Sequence, residues 1–268
     1  MSNIIDYYSQ FDEWGRLERE PLEFRINWHY MRQFLPESGR VLDNGAGPGK
    51  YAMELARHGC QVTLCDLTPR LVEIAEAKAD ELGLRERFDG FLVRNAVNLE
   101  GLPDERFDAS LMMGPLYHLQ QEDDRARAVQ ELYRVTKKEG IIFAAFQSTM
   151  RMTLNALQQP QHWKPLERME PIRAFRSSGV FDHADEGRFT GAYYFDVHEI
   201  RPFMESHGFE TLELIGSSSI GHLLSREQQQ YWEERGESAE LLELLVEAAK
   251  DPSILGVSSH LLYIGRKK

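Results

Sequence analysis

The stretch Val41-Leu42-Asp43-Asn44-Gly45-Ala46-Gly47-Pro48-Gly49-Lys50 decides the fold of this 268-residue chain. Val41 and Leu42 are apolar strand residues, and Asp43 stands at the carboxyl end of that strand. Three glycines at alternate positions then precede a helical pattern that begins at Tyr51. A loop with so little side chain lets another molecule lie against the backbone. The helix N-terminus behind it offers unpaired N–H groups. Such a strand–loop–helix unit predicts a nucleotide-type cofactor site at the carboxyl edge of a parallel sheet. Spacing bears on which cofactor. A dinucleotide fingerprint, G-x-G-x-x-G/A counted from Gly45, needs a small residue at position 50. Position 50 is Lys, and the third glycine comes one residue early, at Gly49. A pyrophosphate would be repelled by Asp43, whereas a cationic head group tolerates that carboxylate.

Working outward, residues 40–146 alternate strand and helix with short connections, as a parallel sheet with crossovers requires. Strands are expected at Arg40–Asp43, Gln61–Asp66, Phe91–Arg94, Phe107–Met113 and Ile141–Phe146, and two more at Phe209–Ile215 and Leu261–Gly265. Helices are expected from Gly49 to His58, after Pro69, and from Asp123 to Thr136, the last with acidic residues in its first turn. Three segments lie outside this core. Residues 1–38 mix aromatics and charges in a partly helical pattern. Residues 147–196 are rich in Pro, Arg, Met and aromatics without clear periodicity, and residues 225–250 read as a Glu- and Gln-rich helical stretch. The division expected is an N-terminal lid, 1–38, and a cofactor-binding domain, 39–268, with a cap insertion at 147–196.

Asp66 closes the second strand, where it can accept hydrogen bonds from two ribose hydroxyls. An acidic residue there also suits a dinucleotide, and it could equally cap the helix that starts at Pro69. Asn95-Ala96 follow the third strand, and the amide oxygen of Asn95 can accept a bond from a base amino group. The segment Phe107-Asp108-Ala109-Ser110-Leu111-Met112-Met113-Gly114-Pro115-Leu116-Tyr117-His118-Leu119 carries the fourth strand and its turn. Leu132-Tyr133-Arg134-Val135-Thr136-Lys137-Lys138-Glu139-Gly140 leads into the fifth.

Together with D-x-G-x-G-x-G at 43–49, these motifs resemble the class I S-adenosylmethionine (SAM)-dependent methyltransferases, over 41–146 and again at 197–215. Asn95 stands where that family commonly has Asp, and Lys138 and Glu139 replace its usual Pro-Gly. The Met-Gly-Pro-Leu-Tyr-His-Leu wording, with Asp12-Glu13-Trp14-Gly15-Arg16-Leu17, resembles bacterial small-molecule methyltransferases. The resemblance implies a doubly wound α/β fold with a seven-stranded, mostly parallel sheet whose last strand is antiparallel. It implies SAM as cofactor and S-adenosylhomocysteine (SAH) as product. Asp43, Gly45, Ala46, Gly47 and Gly49 would form the loop side of the site, Asp66 would hold the ribose, and Leu67, Asn95 and Ala96 the adenine. Met113 and Gly114 would face the methionine part. An N-terminal helix and the insertion would close over them, with Tyr7, Tyr8, Phe11 and Trp14 as an apolar lid, of which Tyr8 and Trp14 would touch the cofactor. His162, Trp163, His183, Tyr193 and Tyr194 could shape the acceptor pocket. His118, with an ordinary pKa near 6.5, is the candidate acid–base residue.

Bulk properties narrow the partners. The formal charge of −12 gives no positive field for phosphates, so nucleic acid is not expected. No apolar run approaches the roughly 18 residues of a membrane helix, and the N-terminus lacks the pattern of a signal peptide. Cys60 and Cys65 bracket one strand and suit reduced, buried thiols in a cytoplasmic protein. The nine histidines give no pair at ligand spacing, so no metal is expected. The expected activity is methyl transfer to a small-molecule acceptor. A SAM-binding sensor or partner subunit remains open, as does an NAD-dependent dehydrogenase, which Lys50 and Asp43 disfavour.

Overall fold

The computed structural model describes residues 5–8, 14–15, 21–182 and 191–268. Its elements begin with α1 (Pro21–Met31), followed by β1 (Arg40–Asn44), α2 (Lys50–His58), β2 (Gln61–Asp66), α3 (Pro69–Glu81) and β3 (Phe88–Val93). The chain continues through β4 (Phe107–Met112), α4 (Glu122–Val135) and β5 (Thr136–Gln147). The insertion contains α5 (Thr149–Gln158), α6 (Met169–Ser178) and the short strands β6 (Val180–Phe181) and β7 (Ala192–Tyr193). After it come α7 (Val197–Ser206), β8 (Phe209–Gly216), α8 (Arg226–Glu234), α9 (Ser238–Ala248), α10 (Pro252–Leu255) and β9 (His260–Lys267).

Seven strands form one sheet in the order β3-β2-β1-β4-β5-β9-β8. The first five pair in parallel, and β9 runs antiparallel between β5 and β8. The expected doubly wound sheet with an antiparallel last strand is therefore the observed one. Chain order reverses between β1 and β4, so the crevice at the carboxyl ends of those strands is the place where such folds bind ligands.

Both faces of the sheet are covered, which is why its strands are nearly all apolar. One layer packs Ile26 and Met31 of α1, Met53 and Leu55 of α2, and Val72 of α3 against Val41, Leu64 and Phe143. The other packs Val129 and Leu132 of α4 and Ile200 and Met204 of α7 against Met112, Ile142 and Phe146.

The insertion is more regular than its composition indicates. Ser148 caps α5 by accepting from the Arg151 amide, and Gly179, at φ +68°, ends α6. Met152, Ile172, Phe175 and Phe181 give it a small core of its own. It docks beside the β4–α4 turn: Arg125 stacks on the Tyr193 ring at 3.4 Å, and Gln120 donates to the Phe181 carbonyl. The helical stretch at 225–250 is two helices, parted at Gly236, where φ is +76°. Phe11 and His183 lie outside the described residues. No helix among those described is long and apolar enough to cross a membrane.

Candidate active site

The glycine loop follows β1 directly and is tied to the end of β2. Gly45 and Ala46 both donate to the Cys65 carbonyl, at 2.8 and 3.0 Å. Gly47, in left-handed conformation at φ +56°, donates to Asp66 Oδ2 at 2.8 Å. The other Asp66 oxygen accepts from the Thr68 amide at 2.8 Å. One carboxylate thus holds both the loop and the β2–α3 turn. The helix-cap reading of Asp66 has a structural basis, since it bonds the residue before Pro69. Burial raises the Asp66 pKa, and the amides of Thr68 and Gly47 oppose the rise.

Gly45 (φ +76°) touches the turn after β4 so closely that a Cβ would stand 2.3 Å from Pro115 Cγ. Any larger residue there would separate the ends of β1 and β4. Gly49 has another task. A Cβ on it would meet Leu64, Ala75 and Met53 at 3.0–3.3 Å, so it lets α2 pack on the sheet and on α3.

The cleft above these elements is lined by Gly45, Ala46 and Gly47 from the loop, Asp66 and Leu67 after β2, and Asn95 and Ala96 after β3. Met113, Gly114 and His118 come from the turn after β4, and Tyr8 from the N-terminal segment. These are most of the residues expected from sequence. Three others do not reach it. Gly49 is buried between helices, and Trp14 packs on the outer side of α2 and α3, where the Lys50 and Lys78 ammonium groups each sit 5.3 Å from its ring centre.

Asp43, the third, is only 1% exposed, behind the loop. Neither of its oxygens has a hydrogen-bond partner among the described residues. Burial, then the Asp66 charge, pushes its pKa up to about 7, and the nearby Ala52 amide offsets little of this.

His118 also differs from expectation. Its Nε2 lies 3.1 Å from the Tyr8 hydroxyl, and the two rings meet edge to face. Burial, with a smaller contribution from His260, pushes its pKa down to about 3. An imidazole so shifted stays neutral at physiological pH but is a weak proton acceptor, so the expected titration near 6.5 is not found.

The cleft also gains residues that no motif marked. Glu23 of α1 lines it, with Oε2 2.9 Å from His260 Nδ1, while Gln147 holds the other His260 nitrogen at 3.0 Å. Tyr51 and Tyr117 complete the wall. Asn27 donates to the Tyr51 hydroxyl at 2.9 Å, and Tyr117 donates to the Met113 carbonyl at 3.1 Å. Of the residues expected to shape an acceptor pocket, Trp163 and Tyr194 pack in the insertion core and Tyr193 stacks under Arg125, while His162 bonds Gln159. None of the four lines the cleft. Among the described residues no cluster of metal-ligating side chains occurs.

Residues 42–144 match the family described as "Methyltransferase domain". That stretch is a SAM-dependent methyltransferase domain of the class I kind. This SAM-dependent enzyme is 28% identical over 215 residues to the malonyl-[acyl-carrier protein] O-methyltransferase of Enterobacter lignolyticus, which covers 80% of this chain and 76% of that one. It is 31% identical over 132 residues to a tRNA (carboxymethyluridine(34)-5-O)-methyltransferase of Arabidopsis thaliana, of which it spans only 29%. A SAM-dependent methyltransferase of Methanosarcina mazei shares the fold at a TM-score of 0.60 and 20% identity, over 89% of this chain and 96% of that one.

Proposed function

We propose that this methyltransferase is a cytoplasmic enzyme that acts on a small molecule, transferring the methyl group by in-line displacement. In that reaction a lone pair on the acceptor's O, N or S forms the bond to the methyl carbon. The carbon–sulfur bond breaks, its electron pair stays on sulfur as SAH, and the acceptor sheds any proton it carried. SAM supplies an electrophilic methyl on a sulfonium. The remaining work falls to the chain: alignment, water exclusion and charge complementarity.

The observation that carries the reading is the convergence of four strand ends on one cleft with Asp66 at its centre. Asp66 would take the ribose hydroxyls, and Asn95 with Leu67 and Ala96 the adenine. The Asn95 Oδ1 accepts from the Val97 amide at 3.2 Å, which sets the amide plane at the cleft edge. Gly45, Ala46, Gly47, Met113 and Gly114 would carry the methionine part. The donor set suits a cation. The buried Asp43 carboxylate favours positive charge near the loop without touching it, and Gly49 and Trp14 act by support.

Tyr8 against His118 closes one side, in keeping with a lid formed by residues 1–38 over a domain at 39–268 capped by 147–196. His118 serves as a wall and a hydrogen-bond partner in this reading. Glu23, a second lining carboxylate beside Asp66, would take a proton that the acceptor releases, with His260 at 2.9 Å behind it.

The charge of −12 supports a small acceptor over a tRNA, because phosphate contacts need a positive field. The buried, free thiols of Cys60 and Cys65 suit a reducing compartment.

Calorimetric titration should show SAM and SAH binding at least about tenfold more tightly than NAD, a gap of roughly 1.4 kcal/mol. Labelled SAM incubated with the protein and a bacterial metabolite extract should give a labelled small-molecule product. Preferential NAD binding, or SAM binding without any transfer to small molecules, refutes the proposal.

A further inference from the structure

The cofactor set leaves one wall of the cleft unassigned, and short contacts join its parts. Along it the Tyr8 and His118 rings meet at 5.6 Å between centres, His118 and Tyr117 at 4.9 Å, and Tyr117 and His260 at 5.6 Å. Glu23 closes the row, with Oε2 2.9 Å from His260 Nδ1. Its neighbour Phe24 packs on the Tyr51 ring at 5.0 Å. Tyr8, Glu23, Tyr51, Tyr117 and His118 all line the cleft. His260 stands behind Glu23, held on its far side by Gln147 at 3.0 Å.

The wall is thus a set of aromatic rings around one carboxylate. The cationic side chains of the same cleft are engaged elsewhere. The Lys50 ammonium lies 5.3 Å from the Trp14 ring centre and 5.7 Å from that of Phe24. Arg94, after β3, donates to the Val93 carbonyl at 2.8 Å and the Glu100 carbonyl at 3.3 Å. Aromatic faces beside a carboxylate attract a cation, whereas an anion entering this cleft meets both Glu23 and Asp66.

That charge pattern separates the three kinds of nucleophile. A thiolate or phenolate is repelled by Glu23, and its charge vanishes as the bond to the methyl carbon forms. An alcohol needs a base for its proton, and His118, pushed down to about 3, is a poor one. An amine gains positive charge as it attacks, and a carboxylate on the wall is complementary to that change.

We propose that the methyl acceptor is an amine, bound as its ammonium by Glu23 and the surrounding rings and methylated on that nitrogen. The proposal rests on the small-molecule reading above. The ammonium gives one proton to Glu23, which passes it to His260 Nδ1 and so remains charged. The freed lone pair forms the nitrogen–carbon bond, the carbon–sulfur bond breaks with its electron pair on sulfur, and the positive charge moves from sulfur to nitrogen. The product leaves as a methylated ammonium, and His260 returns the proton to water.

SAH-saturated protein titrated calorimetrically with benzylamine, benzyl alcohol and benzoate compares one ring bearing a positive, a neutral and a negative head group. Benzylamine should bind at least about tenfold more tightly than the alcohol, as one charged hydrogen-bonding partner warrants, and benzoate more weakly than either. Glu23→Gln should erase the amine preference with SAH affinity unchanged, and Glu23→Asp should keep part of it. Should the Gln variant fail to fold, the wild-type comparison decides alone. Equal binding of amine and alcohol, or no binding of the amine at millimolar concentration, overturns the proposal. So does a Gln variant that loses SAH affinity but keeps the amine preference, because Glu23 would then serve the cofactor's own amino group. In the metabolite screen, a labelled product with its methyl group on oxygen or sulfur overturns the amine assignment and leaves the methyltransferase reading standing. Absence of any transfer sinks the latter, while the titrations of SAH-loaded protein still judge the amine site.

Discussion

Replacing Asp43 by Asn should change the pH dependence of stability more than stability itself. The folded state raises this carboxyl from 3.8 to about 7. A group whose pKa is raised on folding favours the native state when protonated, and that advantage is lost as pH climbs from the unfolded value through the folded one. Wild-type stability should therefore decline between about pH 4 and pH 7 by an amount that the shift sets at roughly 4 kcal/mol. Asn cannot ionise and should show no such decline. It brings its own penalty, a buried amide where neither Asp43 oxygen has a partner among the described residues, worth about 1–3 kcal/mol. The variant should then be less stable than wild type near pH 4 and more stable near pH 8. Burial of neutral His118 works in the opposite sense, its contribution being lost as pH falls from 6.5 toward 3. It is common to both proteins and cancels in their difference. Urea unfolding of the ligand-free protein at several pH values measures that difference. A constant gap between variant and wild type across pH 4–8 would refute the assignment of a buried, unpaired carboxyl at position 43.

Asp66→Asn should weaken SAM binding by about 1.5–3 kcal/mol and also loosen the loop, because one oxygen that accepts from Gly47 or Thr68 becomes a donor; an unchanged dissociation constant by calorimetry would remove it from the site. Gly45→Ala should lower SAM affinity and melting temperature together, since its Cβ would collide with Pro115 in a left-handed conformation that costs about 1–3 kcal/mol. His118→Asn should leave turnover near wild type on whichever acceptor the metabolite screen supplies, whereas loss of a true general base would reduce it roughly a hundredfold or more; a drop of that size would reinstate His118 as the base.

The contrast between His118 and Glu23 explains which parts of this molecule are legible in its sequence. The β1 loop is readable because its signals are local. Gly45 and Gly47 need positive φ within a few residues of a strand end, and the apolar run before them marks the strand. Asp66 is readable because the end of β2 must lie beside the end of β1 in any such sheet. The helices of the insertion are only weakly legible, since a small core shared among Met152, Phe175 and Phe181 leaves little apolar periodicity in any one element. Glu23, His260 and Gln147 have no local signature at all. Each is an isolated polar residue until the sheet brings the first turn of α1, the start of β9 and the end of β5 to one edge.

The same reasoning accounts for His118. Its place in the turn after β4 is fixed locally, but its chemistry is set by burial and by Tyr8 and His260, far away in the chain. Position follows from nearby sequence, whereas protonation follows from contacts between distant segments. In this fold the loop side of the cleft is built from the first kind of information and the wall at Glu23 and His260 from the second. A motif can therefore identify the methyl donor here without naming what receives the methyl group.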